Sequence, residues 1–158
     1  MRVGLGHDIH RLAAGRKLVL GGVLIDFGKG PVSHSDGDVL LHAVVDAILG
    51  AAGLGDIGSW FPNTDPKWAD ADSAELLVVA VEAAVEQNWK IVNLDCTLFA
   101  EKPRLGPYRE KIEARLATLL GVSTDAVNVK AKSGEQVGPI GREEAISAAA
   151  VVLLARDE

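Results

Sequence analysis

Apolar and polar positions along this chain switch repeatedly between a two-residue and a 3.6-residue period. From Arg2 to His10 the alternation is loose, with Val3, Leu5, His7 and Ile9 set against Asp8 and His10. That predicts a strand with a polar C-terminal end, on which Asp8 and His10 share one face and His7 and Ile9 the other. Lys17 to Ile25 reads as a hairpin turning at Gly21-Gly22. Gly28 to Ser35 reads as loop. A helix follows to about Gly53, capped by Asp36 or Ser35, with Asp38 in its first turn. Leu41, Val44, Val45, Ile48 and Leu49 form its apolar face, and Gly53 and Gly55 end it.

Asn63 to Ala71 is a polar stretch that suits a mobile cover. Asp72 and Glu75 are spaced as a capping box before a helix that runs to about Gln87. Ile91 to Phe99 alternates as a strand. Pro107 is placed to open a helix carrying Ile112, Leu116 and Leu119 and stopping at Gly121. Val127 to Ala131 is a further strand, and Lys132 to Gly141 a Gly-rich polar loop. Ala145 to Ala155 has helix-tolerant alanines, but Val151-Val152-Leu153-Leu154 favours a buried strand, which is the reading adopted. This succession predicts an α+β sandwich with helices on one face of a sheet.

Composition narrows the class. With 158 residues, 48% hydrophobic and 24% charged, the expectation is one soluble domain over 1–158. A formal net charge of -6 argues against general affinity for nucleic acid or an anionic membrane. An acidic small substrate then needs local cations or bound metal. The single cysteine, Cys96, sits in an apolar run and fits a buried residue in a reducing compartment. No leader pattern is read at the N-terminus, and the longest apolar run, near Ala148 to Ala155, is too short for a bilayer. A cytoplasmic protein is expected.

The density of chemistry lies between His34 and Pro62. His34-Ser35-Asp36-Gly37-Asp38 packs a His, a Ser and two carboxylates into one loop, and His42 follows in an otherwise apolar helix. Asp8, His10 and His42 offer two imidazoles and a carboxylate, a donor set that leaves the fourth position of a tetrahedral zinc open. The bland alternative is a surface pair and a satisfied core histidine. Asp46, four residues after His42, is placed either to orient that ring or to meet solvent. His34 and Ser35, before a helix start, suit a phosphate as well as a plain cap. Asp56 between glycines suits sugar-like hydroxyls or a turn. Lys130, Lys132, Ser133, Glu135 and Arg142 offer cations and a hard oxygen ligand, or a solvated loop. Walker, G-x-G-x-x-G, G-x-S-x-G and C-x-x-C patterns are missing.

Several segments together resemble the 2-C-methyl-D-erythritol 2,4-cyclodiphosphate synthase family of the non-mevalonate isoprenoid pathway. They are Gly6-His7-Asp8-Ile9-His10, His34-Ser35-Asp36-Gly37-Asp38 with Leu41-His42-Ala43 and Asp46, and Gly53-Leu54-Gly55-Asp56-Ile57-Gly58 running on through Phe61-Pro62 to Pro66. Asp72-Ser73, Lys102-Pro103-Arg104-Leu105, Asn128-Val129-Lys130-Ala131, Glu135 and Gly141-Arg142 follow in order. The resemblance implies a ferredoxin-like mixed sheet, a homotrimer and active sites between neighbours. It implies cyclisation of 4-diphosphocytidyl-2-C-methyl-D-erythritol 2-phosphate with release of CMP.

By the same resemblance Asp8, His10 and His42 hold one Zn²⁺ per subunit, with Asp8 and His10 also at the substrate. Glu135 helps place a second divalent ion, Mg²⁺ or Mn²⁺, on the diphosphate. His34 and Ser35 bind phosphate, and His34 and Ser133 serve the transition state. Asp56, Ile57 and Gly58, with Phe61, Pro62, Asn63, Thr64 and Asp65, hold the methylerythritol part. Ala100, Glu101, Lys102, Pro103, Arg104, Leu105 and Gly106 hold the cytidine end, with Lys132, Ser133, Gly134 and Glu135. The nucleophile is the substrate's own 2-phosphate, so the protein supplies proximity and charge neutralisation rather than a strong base.

Two stretches depart from the family pattern. Lys132-Ser133 stands where Thr-Thr is common, which keeps a hydroxyl and adds a cation near the nucleotide. Arg142-Glu143-Glu144-Ala145, with Pro139 before it, replaces a glycine-rich run. In the family this region, Arg142 included, lines a central cavity able to hold an isoprenoid diphosphate. The added glutamates weaken that expectation here, since Arg142 can pair with Glu143 or Glu144. The competing functions are a zinc-dependent phosphohydrolase and a non-catalytic trimeric protein binding nucleotides or isoprenoid diphosphates.

Overall fold

The computed structural model describes residues 1–156, so the last two positions of the expected 1–158 domain lie outside the described residues. The main sheet has five strands in the order β4-β1-β7-β5-β6. They are β1 (Arg2–Ala14), β4 (Lys29–Pro31), β5 (Lys90–Phe99), β6 (Val127–Lys132) and β7 (Ala145–Ala155). Only β5 and β6 run parallel; β7 sits antiparallel between β1 and β5, and β4 antiparallel on the edge. The fold is a mixed α+β sandwich. Ala145 to Ala155 is a strand, as its branched residues suggested, because it is the middle of the sheet and pairs on both sides.

The hairpin is also present. β2 (Leu18–Leu20) and β3 (Val23–Ile25) form a separate two-stranded sheet. Gly21 and Gly22 turn it at φ 60 and 73, the left-handed pair that a two-residue hairpin favours.

Helix α1 (Val39–Ala52) lies across β1 and β7 and is buried on nearly every side. Gly4 and Gly6 make this possible. A Cβ on Gly4 would stand 1.9 Å from the Ala47 carbonyl, and one on Gly6 1.8 Å from that of Ala43. With no side chain there, the helix backbone rests directly on the strand. Helix α3 (Ser73–Glu86) packs against α1, and α4 (Arg109–Leu120) covers β6.

The caps differ in detail from those expected. Asp38, rather than Asp36 or Ser35, is the N-cap of α1, so it precedes the first turn instead of lying in it. Its Oδ1 accepts from Leu41 N at 3.0 Å, Leu40 N at 3.2 Å and Gly21 N at 2.9 Å, and its Oδ2 from Gly22 N at 2.7 Å. One fully buried carboxylate thus joins the hairpin turn to the helix start. Asp72 caps α3 through Ala74 N. The reciprocal capping box is made not there but at α2 (Ile57–Trp60), between Asp56 and Ser59. Pro107 lies in a 3₁₀ turn, Gly106–Tyr108, that leads into α4. The loop after β6 contains one short turn of helix, α5 (Gly138–Gly141).

The other sheet face carries none of the long helices; it is polar on β5 and β6, where Asp95, Asn128 and Lys130 bond one another, and apolar on β1 and β7. Val3 is 68% exposed, Leu5 71%, Ile9 49% and Val151 40%. Leu5 and Val151 are cross-strand partners, so they form one patch rather than scattered residues.

Candidate active site

The even-numbered residues of β1 face α1, as the two glycines show. Continuing that face past Gly6 brings Asp8 and His10 to the start of α1, where His42 points back at them. Asp8 Oδ2 lies 2.9 Å from His42 Nδ1 and 3.0 Å from His10 Nε2, and the two imidazole nitrogens are 3.1 Å apart. Three lone-pair donors this close repel unless a proton or cation lies among them. A tetrahedral zinc with bonds near 2.0–2.1 Å spaces its ligands by about 3.3 Å. The observed triangle needs to open only by a few tenths of an ångström to hold one.

The partners of the ligands favour the same state. His42 Nε2 is 2.9 Å from Ser73 Oγ and 3.2 Å from Ser35 Oγ. Ser73 Oγ in turn donates to Asp36 Oδ1, while Asp36 Oδ2 accepts from Ser73 N at 3.0 Å. With its own proton committed to Asp36, the Ser73 oxygen accepts from His42. The proton therefore sits on Nε2 and the Nδ1 lone pair is free for a metal. Burial alone would raise the Asp8 carboxyl, but in the metal-free site the neighbouring His10 and His42 rings outweigh that and hold it well below the usual carboxylate range.

Asp46 does not orient His42. Its Oδ1 accepts from Ile57 N at 2.9 Å, tying α1 to α2. The orienting role, one of the two readings of Asp46, belongs to Ser73 and Asp36. Ser73 was visible in sequence as the residue after a capping Asp and as part of the family resemblance, with no role attached; its complete burial was not visible.

The open side of the triad faces a cavity of about 190 Å³. Its walls include Asp8, His10, His34, Ser35, His42, Ile57, Gly58, Phe61 and Asn63, nine residues nominated from sequence. Ser33, Trp68 and Leu76 complete it. Trp68 comes from the loop expected as a cover and meets Phe61 edge-on at 4.9 Å. That loop is zipped to the phosphate-type loop: Asp70 N donates to the His34 carbonyl at 2.9 Å, and Asp36 N to that of Ala71 at 3.2 Å. Pro62, Thr64 and Asp65 do not line the cavity. Asp56 is engaged as a cap, its Oδ1 accepting from Ser59 N and Oγ, both at 2.8 Å.

A second cavity, of about 670 Å³, opens where β5 and β6 end. Ala100, Glu101, Pro103, Arg104, Leu105 and Gly106 line it together with Lys132 and Ser133. The two late clusters picked out in the sequence thus meet here. The cations divide: Lys130 pairs with Asp95, Lys102 with Glu143 at 3.1 Å, and Arg142 with Glu144 at 2.8 Å. Arg142, Gly134 and Glu135 line neither cavity, and Glu135 hydrogen-bonds Ser133. The two cavities share no lining residue. β1 and β6 are three strand spacings apart in the sheet, about 14 Å.

The sequence pattern of the YgbB family matches residues 1–155. The chain belongs to the YgbB family. Similar proteins extend over its whole length. The 2-C-methyl-D-erythritol 2,4-cyclodiphosphate synthase of Treponema denticola is 51% identical over 154 residues, 98% of this chain and 96% of that one. A solved 2C-methyl-D-erythritol-2,4-cyclodiphosphate synthase in a CDP-bound form superposes with a TM-score of 0.91 at 39% identity, covering 98% of this chain and 100% of its own. The bifunctional IspDF of Campylobacter jejuni superposes at 0.95 with 39% identity; it covers 99% of this chain, which spans only 42% of that longer protein. Within the YgbB fold, the donor triad is the one His/Cys/Asp/Glu cluster of metal-binding geometry found among the described residues.

Proposed function

We propose that this chain is a 2-C-methyl-D-erythritol 2,4-cyclodiphosphate synthase, one domain that cyclises 4-diphosphocytidyl-2-C-methyl-D-erythritol 2-phosphate and releases CMP. The observation that carries this is the Asp8, His10 and His42 triangle opening onto a cavity walled by His34 and Ser35, in a chain about half identical to named synthases over its length.

Asp8, His10 and His42 would hold Zn²⁺, and Glu135 would be the protein ligand of a second divalent ion, Mg²⁺ or Mn²⁺; both would supply positive charge against the phosphate oxygens. His34 and Ser35 bind phosphate, and Ile57, Gly58, Phe61 and Asn63 hold the methylerythritol part against the first cavity. The β5–β6 cavity takes the cytidine end, with Lys132 near the nucleotide. Ser133 offers its hydroxyl to the transferring phosphoryl group. The 2-phosphate attacks the β-phosphorus, the bond to CMP breaks, and the electron pair leaves with CMP. No protein base is required because the nucleophile is already anionic. Proximity and charge neutralisation carry the rate.

The same reading makes the active unit a homotrimer. The two cavities are separate on one chain, and the sheet face away from the long helices carries an apolar patch on β1 and β7. In the proposed trimer that patch is buried between subunits, and a neighbour's second cavity completes one chain's first. No helix is long and apolar enough to cross a membrane among the described residues; the proposed location is the cytoplasm.

The test is phosphorus NMR of zinc- and magnesium-loaded protein with the cytidylylated substrate, beside His42→Ala and chelator-treated samples. Cyclic diphosphate and CMP formed only with intact metal support the synthase. A linear phosphate product would establish a hydrolase instead. Absence of turnover by a zinc-loaded, folded trimer would leave a binding protein.

A further inference from the structure

The segment after β6 has an unusual backbone. Glu135 and Gln136 sit at φ 48 and 61, two consecutive non-glycine residues in the left-handed region. Such a pair is strained and persists only where its surroundings fix it. Part of that fixing is steric. A Cβ on Gly134 would stand 2.4 Å from Gly141 N, so the segment folds tightly against α5. Val137 N closes it by donating to the Gly134 carbonyl at 2.8 Å.

The remainder is a single carboxylate from another loop. Glu101 Oε2 accepts from Gly134 N at 2.9 Å and from Gln136 N at 3.4 Å. Backbone N–H groups that converge across left-handed residues form a concavity for an anion. Here a side chain of the protein occupies it. Glu101 itself is anchored by the sheet: Ala100 N donates to the Lys132 carbonyl at 3.0 Å, directly after the β5–β6 ladder ends at Phe99 and Lys132. Between the two clamped amides lies Glu135, and just before them Ser133, whose hydroxyl and Glu135 already bond each other.

We propose that Glu101 is a positioning residue whose carboxylate fills the backbone anion nest of residues 134–136 and so sets Ser133 and Glu135 for phosphoryl transfer. This rests on the synthase reading of Ser133 and Glu135, and it changes the part played by Glu101 from substrate contact to internal anion. The clamp also couples the cavity's two walls. The loop at 100–106 cannot shift without dragging the segment that carries the hydroxyl and the metal-binding carboxylate.

The experiment compares Glu101→Ala and Glu101→Gln in the zinc-loaded protein by three readouts. Peptide-level hydrogen exchange across 132–141 reports the clamp directly. Glu101→Ala is expected to lose protection there by roughly tenfold, with α1 and α3 peptides unchanged. CDP affinity by calorimetry is expected to stay within about threefold. Turnover is expected to fall by about 10- to 100-fold in kcat with little change in KM, the pattern of misplaced reacting groups. Glu101→Gln keeps one carbonyl acceptor for both amides and recovers most of the lost protection and kcat. Unchanged protection in Glu101→Ala overturns the proposal. So does a loss confined to CDP affinity and KM, which would make Glu101 a nucleotide contact. If the unmodified protein forms no cyclic product, the synthase reading fails, while exchange still decides whether Glu101 holds the nest.

Discussion

Ser73 Oγ stands 2.9 Å from His42 Nε2 and is itself hydrogen-bonded to Asp36. This three-residue relay, wholly inside the protein at Ser73, decides which imidazole nitrogen is available to a metal. Removing the hydroxyl leaves His42 Nε2 with only the longer contact to Ser35. Ser73→Ala is therefore expected to weaken zinc binding by about tenfold while the helix, still capped by Asp72, stays folded. Competition against a chromogenic chelator measures this. An unchanged zinc affinity would remove the relay from the account.

Asp38 serves two elements at once. Asp38→Ala removes the α1 cap and leaves the amides of buried Gly21 and half-buried Gly22 without an acceptor. The expected loss is about 3 kcal/mol, the cap and the orphaned donors together. Asp38→Asn keeps one acceptor oxygen and should lose less. Urea denaturation of zinc-free protein, monitored by far-UV circular dichroism, gives both values.

The contact of α1 with β1 tolerates no side chain. Gly6→Ala puts a methyl group 1.8 Å from the Ala43 carbonyl, so the helix must lift and carry His42 away from Asp8 and His10. The expected outcome is a loss of about 3 kcal/mol or more together with impaired zinc binding. Gly50→Ala, in the same helix but with open space around it, should stabilise by about 0.5–1 kcal/mol. Thermal unfolding of the pair separates close approach from glycine content.

Burial pushes the Cys96 thiol up to about 12, with nearby Asp95 acting in the same direction. At pH 8 the native thiolate fraction is then about 1 in 10⁴, and a disulfide reagent should label Cys96 only after unfolding. The unfolded thiol ionises near 8.5, so its folded value is raised. The stability it confers is complete below that pH and is lost toward the folded value, by about 1.4 kcal/mol per unit. Cys96→Ala should flatten the alkaline limb of the stability curve. A slope identical to that of the unmodified protein would count against the shift.

Much of the framework was legible because it depends on neighbours in sequence. The β1 alternation put Asp8 and His10 on one face, the glycine pair turned the hairpin, and the branched run at Val151–Leu154 marked a strand. The resemblance to the synthases rested on residues that the first cavity does bring together, among them His34, Ser35, Ile57, Gly58 and Phe61. Helical spacing, by contrast, placed Asp46 on the face of His42 but not its partner, because two residues on one face can look to different elements. Asp46 looks to Ile57 and His42 to Ser73.

Local pattern indicated the longer strands and helices and offered the donor set as one reading that the resemblance then selected, while β4 and α5 lie in stretches it read as loop. Tertiary structure decided which donors converge, which carboxylate caps and which cation is already neutralised. Lys130 and Arg142 read alike in sequence as cations available to a phosphate, and by resemblance Lys102 holds the cytidine end, yet each meets a carboxylate. By resemblance Glu101 holds the cytidine end, yet its carboxylate holds the amides of Gly134 and Gln136. The physical reason is range. Period and capping act within a turn or two of chain, whereas charge neutralisation and hydrogen-bond commitment are settled by contacts between segments that only packing brings together.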